Sequence, residues 1–126
     1  MRNELLYTKN HEWLKVENSL GRIGITDYAQ EQLSDIVYVE LPKVGNEVER
    51  NSKIGVVESV KSVSDIYSPI SGEVIEVNNN LIKKPEIMNS SPYDDGWFAL
   101  LKIKDLNETQ QLLKPEEYKA LIQGKL

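Results

Sequence analysis

The sequence predicts a mainly β protein, a β-sandwich or flattened barrel with a short internal helix and C-terminal helices. Short segments that alternate apolar and polar residues recur along most of the chain. Turn residues punctuate them at close intervals. Helical spacing is confined to one internal stretch and to the C-terminal end.

Glu12-Trp13-Leu14-Lys15-Val16-Glu17 alternates as a half-buried strand does, Asn18-Ser19 turns the chain, and Arg22–Ile25 continues as the next strand. In Asp27–Leu33, Ala29 and Leu33 share one helix face, and Thr26 or Asp27 can cap the N-terminus. Asp35–Leu41 is strongly β-prone through Ile36, Val37, Tyr38 and Val39, and Pro42 ends it. A turn at Gly45-Asn46 leads to a weaker strand. Ile54–Val60 and Val63–Ile70 read as paired strands, Ser71-Gly72 as a turn, and Glu73–Val77 as the following strand. Residues 83–96 read as an irregular connection because they hold Pro85, Pro92 and Gly96. Trp97–Ile103 is the final strand. Asp105 and Glu108 have capping-box spacing, Pro115 suits a first helical position, and Gly124 suits a helix stop.

With 126 residues, 40% hydrophobic and 28% charged, the chain can bury a core without a metal or disulfide. Its net charge of −5 makes nucleic acid a poor partner. No apolar run approaches the roughly 20 residues of a membrane span. Cys is absent, which fits a reducing compartment. His11 is the only histidine, so no usual zinc site is expected, and His11 reads as structural in preference to the alternative that it lines a cleft. There is no Ser-His-Asp set, glycine-rich phosphate loop or basic stripe, so no catalytic residue is assigned. Trp13 and Trp97 read as core or cleft-wall residues.

The candidate functional segment is Gly55–Tyr67. With Lys61-Ser62 at the turn centre, Val60 faces Val63, Ser59 faces Ser64 and Val57 faces Ile66. That register also sets Glu58 opposite Asp65, an unfavourable like-charge pair. The expectation is that both acids frame Lys61 for a partner. On local pattern alone, a solvated surface lysine is the better reading of Lys61.

Glu58-Ser59-Val60-Lys61-Ser62-Val63-Ser64-Asp65-Ile66-Tyr67-Ser68-Pro69 resembles the lipoylation segment of the glycine cleavage H proteins. His11-Glu12-Trp13, Gly24–Gln30, Asp35–Pro42, Ser71–Asn78, Asn89–Tyr93 and Gly96-Trp97 match the same family in order. The resemblance implies a biotinyl/lipoyl-carrier-like fold, one lipoyl-carrier domain over residues 1–126, and lipoate amide-linked to Lys61. It implies a non-enzymatic carrier that shuttles an aminomethyl group and reducing equivalents. Its implied partners are a pyridoxal-phosphate glycine decarboxylase, a tetrahydrofolate-dependent aminomethyltransferase and dihydrolipoyl dehydrogenase, with a lipoate ligase or lipoyltransferase loading it. Glu58 and Asp65 would serve lipoylation recognition. Glu12, Ile25, Ala29, Gln32, Leu33, Ser64 and Asp65 resemble the cleft that shelters the arm, where Glu12 or Asp65 could pair with the cationic amine.

Three positions depart from the family pattern. Ser34 stands where a glycine commonly follows the helix, Gln32 replaces a histidine of some relatives, and Asp94 replaces a common glycine. A relay protein that donates lipoate to other carriers would use the same lysine. A biotinyl carrier is disfavoured because Val60 and Ser62, not methionines, flank Lys61. An unmodified interaction module is the remaining alternative. An initial Met1 suggests a bacterial cytoplasmic protein, with a processed mitochondrial form as the alternative.

Overall fold

Nine strands in two antiparallel sheets enclose most of the core in the computed structural model, which describes residues 2–124. The strands are β1 (Leu6–Tyr7), β2 (Glu12–Glu17), β3 (Leu20–Ile25), β4 (Ile36–Glu40), β5 (Glu47–Val48), β6 (Lys53–Ser59), β7 (Val63–Tyr67), β8 (Gly72–Val77) and β9 (Ala99–Ile103). One sheet has the order β1-β2-β3-β9-β8-β5, the other β4-β6-β7. The β-sandwich expectation holds.

Alternation in the strands sends one set of side chains between the sheets. Leu14, Ile23 and Ile25 meet Val39, Val57 and Ile66 there, with Phe98, Leu101 and Val74 filling the space between. Phe98 approaches β6 at Gly55, where a Cβ would collide with the Phe98 ring and the Glu40 carbonyl. Gly55 therefore lets the two sheets close on the hairpin that carries Lys61.

The internal helix α1 spans Asp27–Leu33, and the Thr26 side chain caps it by accepting the Ala29 N–H. Residues 83–96, expected to be irregular, are bounded by α2 (Asn80–Lys83) and contain α3 (Ile87–Ser90). Helices of one turn leave too short a periodic signal to read. Asn89 of α3 clamps the α1–β4 junction: its amide donates to the Ser34 carbonyl at 2.8 Å, and its oxygen accepts the Ile36 N–H at 2.9 Å.

The capping box expected at Asp105 does not form. Asp105 caps a 3-10 helix, Leu106–Gln111, but Glu108 turns away and accepts the Ser71 N–H and hydroxyl. The reciprocal bond is found one element later, where Glu117 accepts the Lys114 N–H ahead of α4 (Pro115–Ile122). The strand expected over Val63–Ile70 ends at Tyr67, because Ser68 closes onto the Ile70 carbonyl. On the outer face of β1 and β2, α4 buries Tyr118 in a second cluster with Leu5, Tyr7 and Trp13. Tyr118 stacks on Tyr7 at 4.5 Å, and Trp13 donates to the Pro92 carbonyl.

Ser34 ends α1 at φ 62° and ψ −149°, a region that glycine enters freely and L side chains enter at a cost of about 1–3 kcal/mol. Ser34→Gly relieves this but enlarges the unfolded ensemble, so a net gain of about 1 kcal/mol is expected. Thermal unfolding should shift upward by roughly 3–5 °C. A variant melting at or below the parent temperature would show that the Ser34 conformation is unstrained.

Candidate functional site

Lys61 lies at the exposed tip of the β6–β7 hairpin. The register differs from the expected one. Glu58 pairs with Val63, Val57 with Ser64 and Val56 with Asp65, so the turn is centred on Val60-Lys61. Ser59 sets this centre: its N–H donates to the Ser62 carbonyl at 2.8 Å, and its hydroxyl oxygen accepts the N–H groups of Lys61 and Ser62. A serine at the first turn position supplies such bonds only to the residues just after it. Both registers keep Val57 and Ile66 inward, since sliding the pairing by two residues preserves every facing. The apolar pattern alone could not separate them.

The like-charge pair is therefore absent. Glu58 and Asp65 share the outer face but are offset diagonally, and Asp65 forms an exposed ion pair with Lys53 at 3.4 Å. The Val60 N–H donates to the Asp35 carbonyl at 3.0 Å, fastening the tip to the chain entering β4. A register shift between Ile36 and Tyr38 in β4 leaves both Val37 and Tyr38 exposed, and Val60 and Val63 are exposed on the hairpin. Val60 and Val63 were read from sequence as the residues bounding the tip; the exposure of both Val37 and Tyr38 was not, and the unbroken run Ile36–Val39 was the available signal.

A groove of about 430 Å3 runs beside β7, lined by Lys9, Asn10 and His11 on one side and by Val63, Ser64, Asp65 and Tyr67 on the other. Of the cleft residues expected from the resemblance, Ser64 and Asp65 line it. Ile25 is buried in the core, Ala29 and Leu33 are half-buried against it from α1, and Gln32 is exposed. None of those four reaches the groove. A larger hollow of about 690 Å3, lined by Lys15, Arg22, Tyr93 and Trp97 among others, contains no residue of the hairpin.

Glu12 is 1% exposed and lies behind this groove. One carboxylate oxygen accepts the Thr8 hydroxyl at 2.6 Å and the other accepts the Tyr67 N–H at 3.1 Å. The side chain thus spans from the turn after β1 to the end of β7 and joins the two walls. Burial raises its pKa, and the two hydrogen bonds oppose the rise. His11 sits at φ 69°, accepts no charge readily because burial lowers its pKa, and meets the Tyr118 hydroxyl through Nδ1 at 2.9 Å. Asp94 carries an exposed ion pair with Arg2 at 2.7 Å.

A sequence model of one protein family, described as Glycine cleavage H-protein, matches residues 5–125. The chain belongs to the glycine cleavage H-protein family. It is 57% identical over 119 residues to the glycine cleavage system H protein of Geobacillus kaustophilus, covering 94% of each chain. It is 56% identical over 125 residues to that of Saccharophagus degradans, covering 98% of this chain and 96% of the relative. The crystal structure of a glycine cleavage system H protein from Mycobacterium marinum superposes with a TM-score of 0.89 at 35% identity, over 98% of this chain and 99% of that one. Members of the family are carriers, and no helix among the described residues is long and apolar enough to cross a membrane.

Glu12→Gln keeps an acceptor for Tyr67 and removes the charge, so it should unfold within about 1 kcal/mol of the parent, whereas Glu12→Ala leaves the Tyr67 N–H unpaired and should cost roughly 2–4 kcal/mol. A raised folded pKa means that the native state holds the Glu12 proton more tightly than the unfolded chain. This contribution is full below the ordinary carboxylate range and is lost as pH rises through the folded pKa. Denaturant titrations from pH 4 upward should show the parent losing stability relative to Glu12→Gln. Parallel profiles would count against that coupling.

Proposed function

We propose that this chain is the lipoyl carrier of a glycine cleavage system, with lipoate amide-linked to Nζ of Lys61 and all of residues 1–126 serving as one carrier domain. The observation that carries this is the placement of Lys61: an exposed lysine at the tip of a hydrogen-bonded hairpin, whose second strand lines a groove from Val63 to Tyr67. Membership of the glycine cleavage H-protein family supports lipoate as the cofactor.

The residues fit the group. Lys61 is exposed, so a modifying enzyme can reach its amine, and the turn beneath it is held by Ser59 and Asp35. A stiff base with a flexible stem lets one side chain visit several active sites without losing its orientation. When bound, the lipoyl dithiolane accepts the aminomethyl group and the reducing equivalents. Ser64 and Asp65 supply hydroxyl and carboxylate acceptors for a cationic amine in the groove. The carrier serves the glycine decarboxylase, the aminomethyltransferase and dihydrolipoyl dehydrogenase in turn, after loading by a ligase or lipoyltransferase, in the bacterial cytoplasm.

Glu58 and Asp65 are recognition acids by virtue of position and not of mutual repulsion. Glu58 has no ion pair among the described residues, and the Lys53–Asp65 pair is exposed, worth at most about 1 kcal/mol. Glu58→Gln and Asp65→Asn should therefore lower the rate of enzymatic lipoylation several-fold while unfolding within about 1 kcal/mol of the parent. Equal loading rates would remove both from the recognition surface.

Intact-mass measurement after expression with lipoate and a lipoate ligase tests the attachment. One lipoyl group is expected on the parent and none on Lys61→Ala. A parent of unchanged mass, or a modified Lys61→Ala, would overturn the assignment.

A further inference from the structure

His11 has no assigned role in carrying the arm, yet two helices, α1 and α4, converge on its ring. Its backbone is fixed by a carbonyl that accepts the Thr26 N–H at 3.0 Å and by the left-handed φ of 69°. Tyr28 of α1 lies 4.7 Å from the imidazole centroid, and the Tyr118 ring meets it edge-on at 5.7 Å. Nδ1 is 2.9 Å from the Tyr118 hydroxyl, and that hydroxyl is 2.7 Å from Oγ1 of Thr26. Tyr118 and Thr26 are both buried, whereas His11 is half-buried and lines the groove.

Proton counting orders this chain. Oγ1 of Thr26 already accepts the Ala29 N–H as the cap of α1. Its own proton needs an acceptor, and the Tyr118 oxygen is the one within reach among the described residues. The Tyr118 proton then goes to Nδ1 of His11, so the neutral ring carries its proton on Nε2. The reverse direction would leave the buried Thr26 proton without an acceptor, at a cost of roughly 1–3 kcal/mol. Burial lowers the His11 pKa and so favours the neutral ring. Since Nδ1 points inward at Tyr118, Nε2–H is the polar atom left to an occupant of the groove.

Reach decides which part of an arm on Lys61 meets it. A lysine stem plus an eight-carbon acyl chain advances about 1.25 Å per bond and brings sulfur roughly 15 Å from Cα. The strand from Val63 to Tyr67 is about 13 Å long at about 3.3 Å per residue. Val63 lies up to about 6.6 Å beyond Lys61 at the same rise, so the sulfur end of the arm comes level with about Asp65–Ile66, across the groove from His11.

We propose that His11 is a positioning residue: Thr26 and Tyr118 fix its tautomer, and its Nε2–H donates to a sulfur of the arm on Lys61. This rests on the lipoyl-carrier reading for its occupant, but the tautomer relay does not. The C-terminal helix thereby acts on the groove through one hydroxyl. A neutral donor also suits a site that holds a cationic amine, because it adds no like charge.

The single histidine makes the test unambiguous by 15N NMR of its ring in the full chain. The unmodified parent should show one tautomer with the proton on Nε2. Tyr118→Phe, which keeps the stack on Tyr7, should show a mixture. Loading and reducing the arm should shift the Nε2 resonance in the parent. Ammonia release from the aminomethyl-loaded carrier should be roughly 2- to 10-fold faster in Tyr118→Phe and in His11→Leu, the range a single hydrogen bond supplies, with both variants still folded by circular dichroism. His11→Gln, which restores an N–H donor near the Nε2 position, should recover part of the protection. A parent with its proton on Nδ1, or a mixed parent, overturns the relay whether or not Tyr118→Phe folds. An Nε2 resonance unmoved by the arm, or release unchanged in His11→Leu, overturns the donor role. A chain that shows the expected tautomer but carries no lipoate on Lys61 overturns the occupant and leaves the relay standing.

Discussion

A buried carboxylate bridging the two sheets is the constraint on which this structure turns. Glu12 belongs to β2 of the larger sheet, yet it accepts the N–H of Tyr67 at the end of β7 in the smaller one, while its other oxygen holds the Thr8 turn. Burying a carboxylate is costly unless its oxygens are satisfied. Both are, and the bonds they accept fix the spacing between the turn at Thr8–His11 and the edge of β7. That spacing is the groove. The hairpin beyond it is then positioned at its other end by Asp35, so Lys61 stands on a base tied to both layers of the sandwich.

The fold was legible in the sequence because its strands alternate and its turns carry turn residues. Asn18 at φ 57° in the β2–β3 turn and Thr26 as the cap of α1 are local decisions, visible in local sequence. The β6–β7 hairpin was legible as a hairpin, but its register was not. Val57 and Ile66 face inward under either pairing, and only the three bonds from Ser59 select one. The same limit explains Glu108, which has capping-box spacing but is drawn to Ser71, a residue distant in sequence that no local window contains.

The groove was the least legible part. Its far wall is Lys9, Asn10 and His11, a turn whose sequence reads as an ordinary polar loop. The hydrogen bond between Tyr118 and His11 spans most of the chain, and the Glu12 bridge joins residues of different sheets. Ala29 and Leu33, the residues of α1 that the resemblance implied for an arm cleft, pack against the core and do not line the groove beside β7. Spacing along a chain cannot report where two separate turns come to face one another.

The bulge at Val37 does more than expose two apolar side chains. As an outer strand of the three-stranded sheet, β4 offers a row of unpaired backbone groups, which invites another extended chain to add itself. An extra residue in that strand breaks the even hydrogen-bonding rhythm a newcomer would have to match, and it sharpens the local twist. The surface nearest the lysine is therefore sticky in its side chains and awkward in its backbone. An extended chain adding itself there would meet an interrupted ladder in place of a regular one.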